Sequence, residues 1–210
     1  MKRLLLALVL VSPFTAMAAD KASDKDPFTQ GSAKAGESKA AVCAACHGPG
    51  GNSAMPDWPK LAGQGSSYIA GQLKDFKSGK RNNPIMAAQV INLTDADFAD
   101  LGAYYGQQKV TPGLADKAAV ATAEPLYRAG DAARGIPACA SCHGPKGTGN
   151  PAAGYPHVGG QHAKYTATQL TAYKSGERAG TPNGQIMAAV ASKLTEQEIQ
   201  ALSSYLNGLH

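Results

Sequence analysis

The chain has 210 residues, 43% of them hydrophobic and 17% charged, a size that fits one ordinary domain or two small ones. Its formal charge of +5 includes Lys2 and Arg3 at the extreme N-terminus, and the remaining excess is too small to indicate a nucleic-acid partner. After the first 18 residues no stretch approaches the about 20 consecutive apolar residues that a membrane-spanning helix needs.

In chain order, Lys2 and Arg3, the apolar run from Leu4 to Val11 and the small-residue pattern Ala16-Met17-Ala18 read as a secretory signal peptide over residues 1–18. The apolar run is too short to be an anchor. Export implies an oxidising compartment, which in a bacterium is the periplasm. Residues 19–32 form a polar N-terminal extension, expected to be a disordered tether. The alanine-rich residues 33–47 predict a helix that Gly48 can end. Ser66 to Lys77 predict a second, with Ile69, Leu73 and Phe76 on one face and Gly79 as terminator. Thr94-Asp95-Ala96-Asp97 resembles a capping box ahead of Phe98, Leu101, Tyr104 and Tyr105. Thr195-Glu196-Gln197-Glu198 fits that pattern better, ahead of Ile199, Leu202, Tyr205 and Leu206. No strand-like alternation stands out, so the fold class is all-α.

All four cysteines fall in two copies of one motif, Cys43-Ala44-Ala45-Cys46-His47 and Cys139-Ala140-Ser141-Cys142-His143. Cys-x-x-Cys-His is the attachment signature of c-type haem: two thiols reach the two vinyl groups of one porphyrin, and the adjacent histidine lies under the iron. Two Cys-x-x-Cys pairs 96 residues apart could instead bind zinc, or act as redox dithiols, or close as disulfides. None of these explains why a histidine follows both pairs. The cofactors expected are two covalently bound haem c groups with their iron, and four haem propionates would largely cancel the basic excess.

Laying one motif on the other aligns the rest of each half. Pro59, Gly63 and Gln64 match Pro156, Gly160 and Gln161, and Tyr68, Gln72, Leu73, Phe76 and Arg81 match Tyr165, Gln169, Leu170, Tyr173 and Arg178. Both halves repeat Ile-Met-Ala-Ala, at Ile85 and at Ile186. Residues 33–108 and 125–210 are therefore two homologous modules. Residues 109–124, with Thr111-Pro112-Gly113 and an alanine-rich stretch lacking an apolar face, read as the linker. Each module is small enough that a haem would supply much of its core.

The sixth iron ligand decides between carrying electrons and binding small molecules. Met86 and Met187 occupy equivalent places, 39 residues after His47 and 44 after His143. A lone methionine at helical spacing usually packs a core; two in matched positions point to His/Met ligation, with metal ligands His47, Met86, His143 and Met187. His47 is the first module's single histidine, and His157 and His162 read as surface residues. Met55 has no methionine counterpart. Arg81 and Arg178, each ahead of its methionine, are candidate propionate partners, with solvated surface arginine as the other reading.

The segments Ala41 to Gly48, Pro59-Lys60-Leu61-Ala62-Gly63-Gln64 and Gly135 to Pro145, with the two methionine segments, resemble the diheme cytochrome c4 family over about Ala33 to Leu209. The resemblance implies two tandem class I cytochrome c domains related by pseudo-twofold symmetry, with the Pro59 and Pro156 carbonyls bonding the imidazoles of His47 and His143. It also implies an electron carrier that shuttles electrons from the respiratory chain to a terminal oxidase. The expected partners are redox proteins: a cytochrome bc complex or other donor, and a haem-copper terminal oxidase as acceptor. A monomer with weak peripheral membrane association is expected, and no enzyme activity. The rival readings are a diheme enzyme such as a peroxidase, with one open iron, and a haem-bearing subunit of a larger complex.

Overall fold

The computed structural model describes residues 25–210, so the expected signal peptide, residues 1–18, and the start of the polar extension lie outside the described residues. Ten α-helices occur among them. The first half holds α1 (Ala33–Ala40), α2 (Ala44–His47), α3 (Ser66–Ser78), α4 (Pro84–Val90) and α5 (Asp95–Gly106). The second holds α6 (Lys117–Ala129), α7 (Ala140–His143), α8 (Ala163–Lys174), α9 (Pro182–Ala191) and α10 (Glu196–Gly208). Extended pairing among the described residues is limited to three isolated bridges. The halves correspond helix for helix, so the expected all-α tandem repeat is the architecture seen.

In the first half α5 packs against both α1 and α3, and in the second α10 packs against both α6 and α8. The α1–α5 crossing is backbone on backbone. A Cβ at Gly36 would stand 2.1 Å from the Asp100 carbonyl oxygen, so no larger residue fits without moving a helix. Ser32 caps α1 by accepting from the Ala35 N–H at 3.1 Å, and the Ser32 N–H donates to Asp100 Oδ1 at 2.7 Å.

Three elements differ from the sequence reading. The helix expected over 33–47 is two helices, separated by a turn in which the Cys43 N–H bonds the Ala40 carbonyl at 3.0 Å. Residues 25–32 are not a tether. Asp26 Oδ1 accepts from the Phe28 and Thr29 N–H groups at 3.0 and 2.8 Å and from Ser66 Oγ at 2.8 Å, which fastens a polar turn to the N-terminus of α3. The linker read as 109–124 gives its last eight positions to α6, where Ala123 is fully buried and Val120 packs on the second module's core. Alanine carries too little hydrophobicity to mark a face in sequence, yet its small size suits a close helix contact.

The second module has one hydrophobic cluster, built on Leu126, Tyr127, Ile136, Ile199 and Leu202. The first has two, one of Ala40, Ile69, Leu101 and Tyr105 and one of Phe76, Val90 and Phe98, with Leu73 and Leu93 touching both. Both expected capping boxes form. Thr94 and Asp97 exchange bonds at the start of α5, and Thr195 and Glu198 do so at the start of α10.

Glu198 also accepts from Arg134 at 2.5 Å, and that bond with the Thr195 cap holds its carboxyl down to about 2 from an ordinary 4.5. A depressed carboxylate stabilises the fold fully above its unfolded value and loses that contribution as the pH falls through the folded one. Glu198→Gln is therefore expected to flatten the fall in stability between pH 4.5 and about 2. Thr195→Ala is expected to cost about 1 kcal/mol at neutral pH. Thermal unfolding followed by circular dichroism across this pH range checks both, and a Glu198→Gln curve that superimposes on the parental one contradicts the first.

Candidate haem-iron centres

Each motif sits on a single helical turn, α2 or α7, closed by a glycine at positive φ: Gly48 at 75° and Gly144 at 78°. The turn brings the second cysteine and the histidine out of one short element, and the histidine side chain is buried, 6% exposed at His47 and 8% at His143. His47 Nδ1 lies 2.8 Å from the Pro59 carbonyl oxygen, and His143 Nδ1 lies 2.9 Å from that of Pro156. A carbonyl can only accept, so Nδ1 carries the proton in both rings and Nε2 is left with its lone pair. Burial pushes both imidazoles below their ordinary value, and the proline carbonyls oppose this only in part. Each histidine is thus a neutral, oriented ring with one free lone pair, suited to bind a metal.

One continuous cavity of about 1400 Å³ is lined by Cys43, His47 and Met86 from the first module and by Cys139, Cys142, His143 and Met187 from the second. Pockets for a single drug-sized ligand run to about 300–1,000 Å³. All four cysteines are unpaired, with Cys46 exposed. Burial raises the Cys43 thiol and pushes Cys139 up to about 11, the reverse of the thiolate that a redox dithiol requires. Among the described residues no group of three or more His, Cys, Asp or Glu side chains is placed to hold a metal ion, so the two cysteine pairs do not converge on a zinc site. The donor set and the space fit two porphyrins.

Met86 lies on α4, where Asn83 Oδ1 accepts from its N–H at 3.0 Å, and packs against Phe76, Val90 and Phe98. Met187 lies on α9, behind Pro182 in the first turn and the Thr181 cap. Met55 is 56% exposed and stands apart from the cavity.

Arg81 and Arg178 also line the cavity, but neither is a solvated surface arginine. Arg81 donates to Gln72 Oε1 at 2.7 Å in its own module and to Tyr165 OH and Gln169 Oε1 at 2.8 and 2.9 Å in the other. Arg178 makes the mirror set, to Gln169 at 2.7 Å, Gln72 at 2.9 Å and Tyr68 OH at 3.4 Å. Their guanidinium carbons stand 4.5 and 4.4 Å from the ring centroids of Phe76 and Tyr173.

The reading of His157 and His162 as surface residues is corrected. Both are half-buried between the modules, with His157 Nδ1 2.9 Å from the Gly63 oxygen and His162 Nε2 2.9 Å from that of Ser53. Nothing in their own half marks them, because their partners lie about a hundred residues away in sequence. The linker is stitched to both modules as well: Asn52 bonds Lys109 and Thr111, and the Asn207 carbonyl accepts from the Gly113 N–H. Gln72, Gln169, Tyr68 and Tyr165 were visible as matched positions in the repeat, but only the structure shows that they meet.

A helical module with a Cys-x-x-Cys-His turn, a proline-held imidazole and a methionine lining the same cavity defines a c-type cytochrome, here in tandem. The cytochrome c family matches residues 33–109 and again 126–210. The chain is 46% identical over 210 residues to cytochrome c4 of Pseudomonas aeruginosa, with all of both chains covered. The crystal structure of reduced recombinant cytochrome c4 from Pseudomonas stutzeri superposes with a TM-score of 0.83 at 46% identity, covering 86% of this chain and 100% of that one. The chain is also 39% identical over 172 residues to a thiosulfate dehydrogenase electron acceptor of Thiomonas intermedia, covering 80% of this chain and 78% of that one. The chain belongs to the cytochrome c family and, within it, to the diheme cytochrome c4 group of electron carriers, with two haem c groups as cofactors.

The reciprocal arginine network predicts that the double variant Arg81→Ala, Arg178→Ala loosens the module interface without unfolding either module. Limited proteolysis is expected to cut the linker between Lys109 and Asp116 several-fold faster in the variant. Equal cleavage rates would show that the arginines do not hold the modules together.

Proposed function

We propose that this protein is a periplasmic electron carrier that takes electrons from the respiratory chain, through a cytochrome bc complex or another donor, and delivers them to a haem-copper terminal oxidase, turning over no substrate itself. The observation that carries this reading is the matched pair of ligand sets, His47 with Met86 and His143 with Met187, on one cavity. When bound, haem supplies one-electron Fe(III)/Fe(II) chemistry.

The protein's part is to hold that chemistry still. Cys43 and Cys46, and Cys139 and Cys142, would anchor the two porphyrins as thioethers. His47 and His143 would offer Nε2 to the irons, and the Pro59 and Pro156 carbonyls hold the rings in orientation. Met86 and Met187 would supply the second protein ligand to each iron, which would leave no open position for peroxide or another small molecule. A ligand set that does not change on oxidation keeps reorganisation small. Arg81 and Arg178 use three N–H donors each on protein acceptors and keep others for propionates. No helix among the described residues is long and apolar enough to cross a membrane. The likeness to a thiosulfate dehydrogenase electron acceptor supports a second reading of the donor, a thiosulfate-oxidising enzyme in place of the bc complex.

Protein expressed with its haems is expected to carry two per chain, both low-spin, with a methionine-to-iron band when oxidised and no carbon monoxide response when reduced. Met86→Ala and Met187→Ala are each expected to abolish about half of that band and to open one of the two reduced haems to carbon monoxide. A parental protein that binds carbon monoxide rapidly and turns over peroxide would replace the carrier with a haem enzyme.

A further inference from the structure

The Gly-Gln pairs that recur after each motif are not explained by ligand binding, and both glutamines are buried, Gln64 8% and Gln161 9% exposed. Gln161 reaches into the first module. Its Oε1 accepts from the Lys60 N–H at 2.9 Å, and its Nε2 donates to the Lys60 carbonyl at 2.9 Å. Gln64 reaches into the second module in the same way, with Oε1 accepting from the His157 N–H at 2.8 Å and Nε2 donating to the His157 carbonyl at 2.9 Å. Each Oε1 also accepts the N–H of the next residue in its own module, His162 at 3.0 Å or Gly65 at 2.9 Å. Two backbone donors on one atom and a backbone carbonyl on the other leave a single amide orientation.

The Lys60 N–H and the Pro59 carbonyl belong to one peptide group, and so do the His157 N–H and the Pro156 carbonyl. The Pro59 and Pro156 carbonyls are the acceptors for His47 and His143. An unbroken chain of bonds therefore runs from His47 Nδ1–H to the Pro59 oxygen, through the peptide to the Lys60 N–H, and on to Gln161 in the other module. Its mirror image runs from His143 to Gln64.

We propose that each proximal histidine is tuned from the opposite module, Gln161 acting on His47 and Gln64 on His143 as positioning residues. Peptide resonance links the two ends of the amide: donating its N–H to a glutamine oxygen puts more negative charge on the carbonyl oxygen. Hydrogen bonds in such a chain strengthen one another by about 10–30%. A stronger acceptor at Nδ1–H makes the imidazole a more basic ligand, which favours Fe(III) and lowers the potential of that haem. Separation of the modules would break both chains at once and raise both potentials, so the interface becomes part of each redox centre. The inference rests on His47 and His143 being the proximal ligands.

The test is the holoprotein with Gln161→Met, which keeps the side-chain length and removes the acceptor. The haem of the first module, opposite the substitution, is expected to gain potential by about 28 mV, a roughly threefold change in its electron equilibrium at 59 mV per tenfold. The haem of the mutated module is expected to stay within a third of that. In the reduced protein the His47 Nδ1–H proton resonance should move upfield while that of His143 stays. Gln64→Met should give the mirror result. Gln161→Glu, a stronger acceptor for the Lys60 N–H, should move the His47 proton downfield, and it carries the test if Gln161→Met fails to assemble. Equal shifts at both haems, a larger shift at the mutated module's own haem, or no shift overturns the proposal. A parental protein without low-spin His/Met spectra overturns the ligand assignment itself, and this inference with it.

Discussion

A buried imidazole offers only one nitrogen to a metal when the other keeps its proton and donates it in a hydrogen bond to a carbonyl, and much of this structure serves to make that bond twice. Pro59 and Pro156 supply the carbonyls from loops that run back over the motif helices. Proline suits the position because its ring restricts the backbone and it has no N–H of its own to satisfy. The peptide that follows does have one. Satisfying that N–H inside the interface, away from water, obliges the other module to provide an acceptor. The constraint on the imidazole thus reaches the module boundary in one peptide unit.

The interface is correspondingly polar for a buried surface, and its partners are reciprocal. Gln64, Gln161, Arg81 and Arg178 each bond the opposite module at a place that mirrors its counterpart's. Lys60 is the asymmetric element. Burial pushes its ammonium below the ordinary value, and it donates to the Gly160 carbonyl at 3.1 Å and to that of Thr111 in the linker. A buried cation stays charged only where oxygens replace its water, and these come from the second module and the linker. The two halves are repeats in sequence but a single unit in their hydrogen bonding.

Neither module has a large core of its own. The first divides into two small clusters joined through Leu73 and Leu93, and the space beside them belongs to the cavity lined by Cys43, Cys139, Cys142, the two motif histidines, Met86 and Met187. A porphyrin in that space would be structural as much as electronic. Its burial would supply the apolar area that fewer than a hundred residues cannot, and the same burial would keep water from the iron and reorganisation low. Stability and electron transfer then draw on one interaction.

The chemistry was legible in the chain itself. Cys-x-x-Cys-His twice over, a methionine at matched offsets and the alignment of the halves specify the cofactor, the expected ligands and the tandem all-α fold, because covalent attachment and helix capping depend on residues close together in sequence. What was not legible lies between the modules. His157 and His162 read as surface residues, Arg81 and Arg178 read as propionate partners or solvated arginines with no partner in the other module, Ala123 hid the start of α6 inside a supposed linker, and the Asp26 turn passed for a tether. Each of these depends on atoms brought together from about forty to more than a hundred positions away, or on a packing contact that alanine does not advertise. The sequence by itself determined which groups are expected to meet the haem, since the Cys-x-x-Cys-His motif is contiguous, the methionines recur at matched places in the repeat, and the residue types are demanded by bonding. Only the tertiary structure decided how one module completes the other, since hydrogen bonds between distant peptide groups leave no pattern in either half alone.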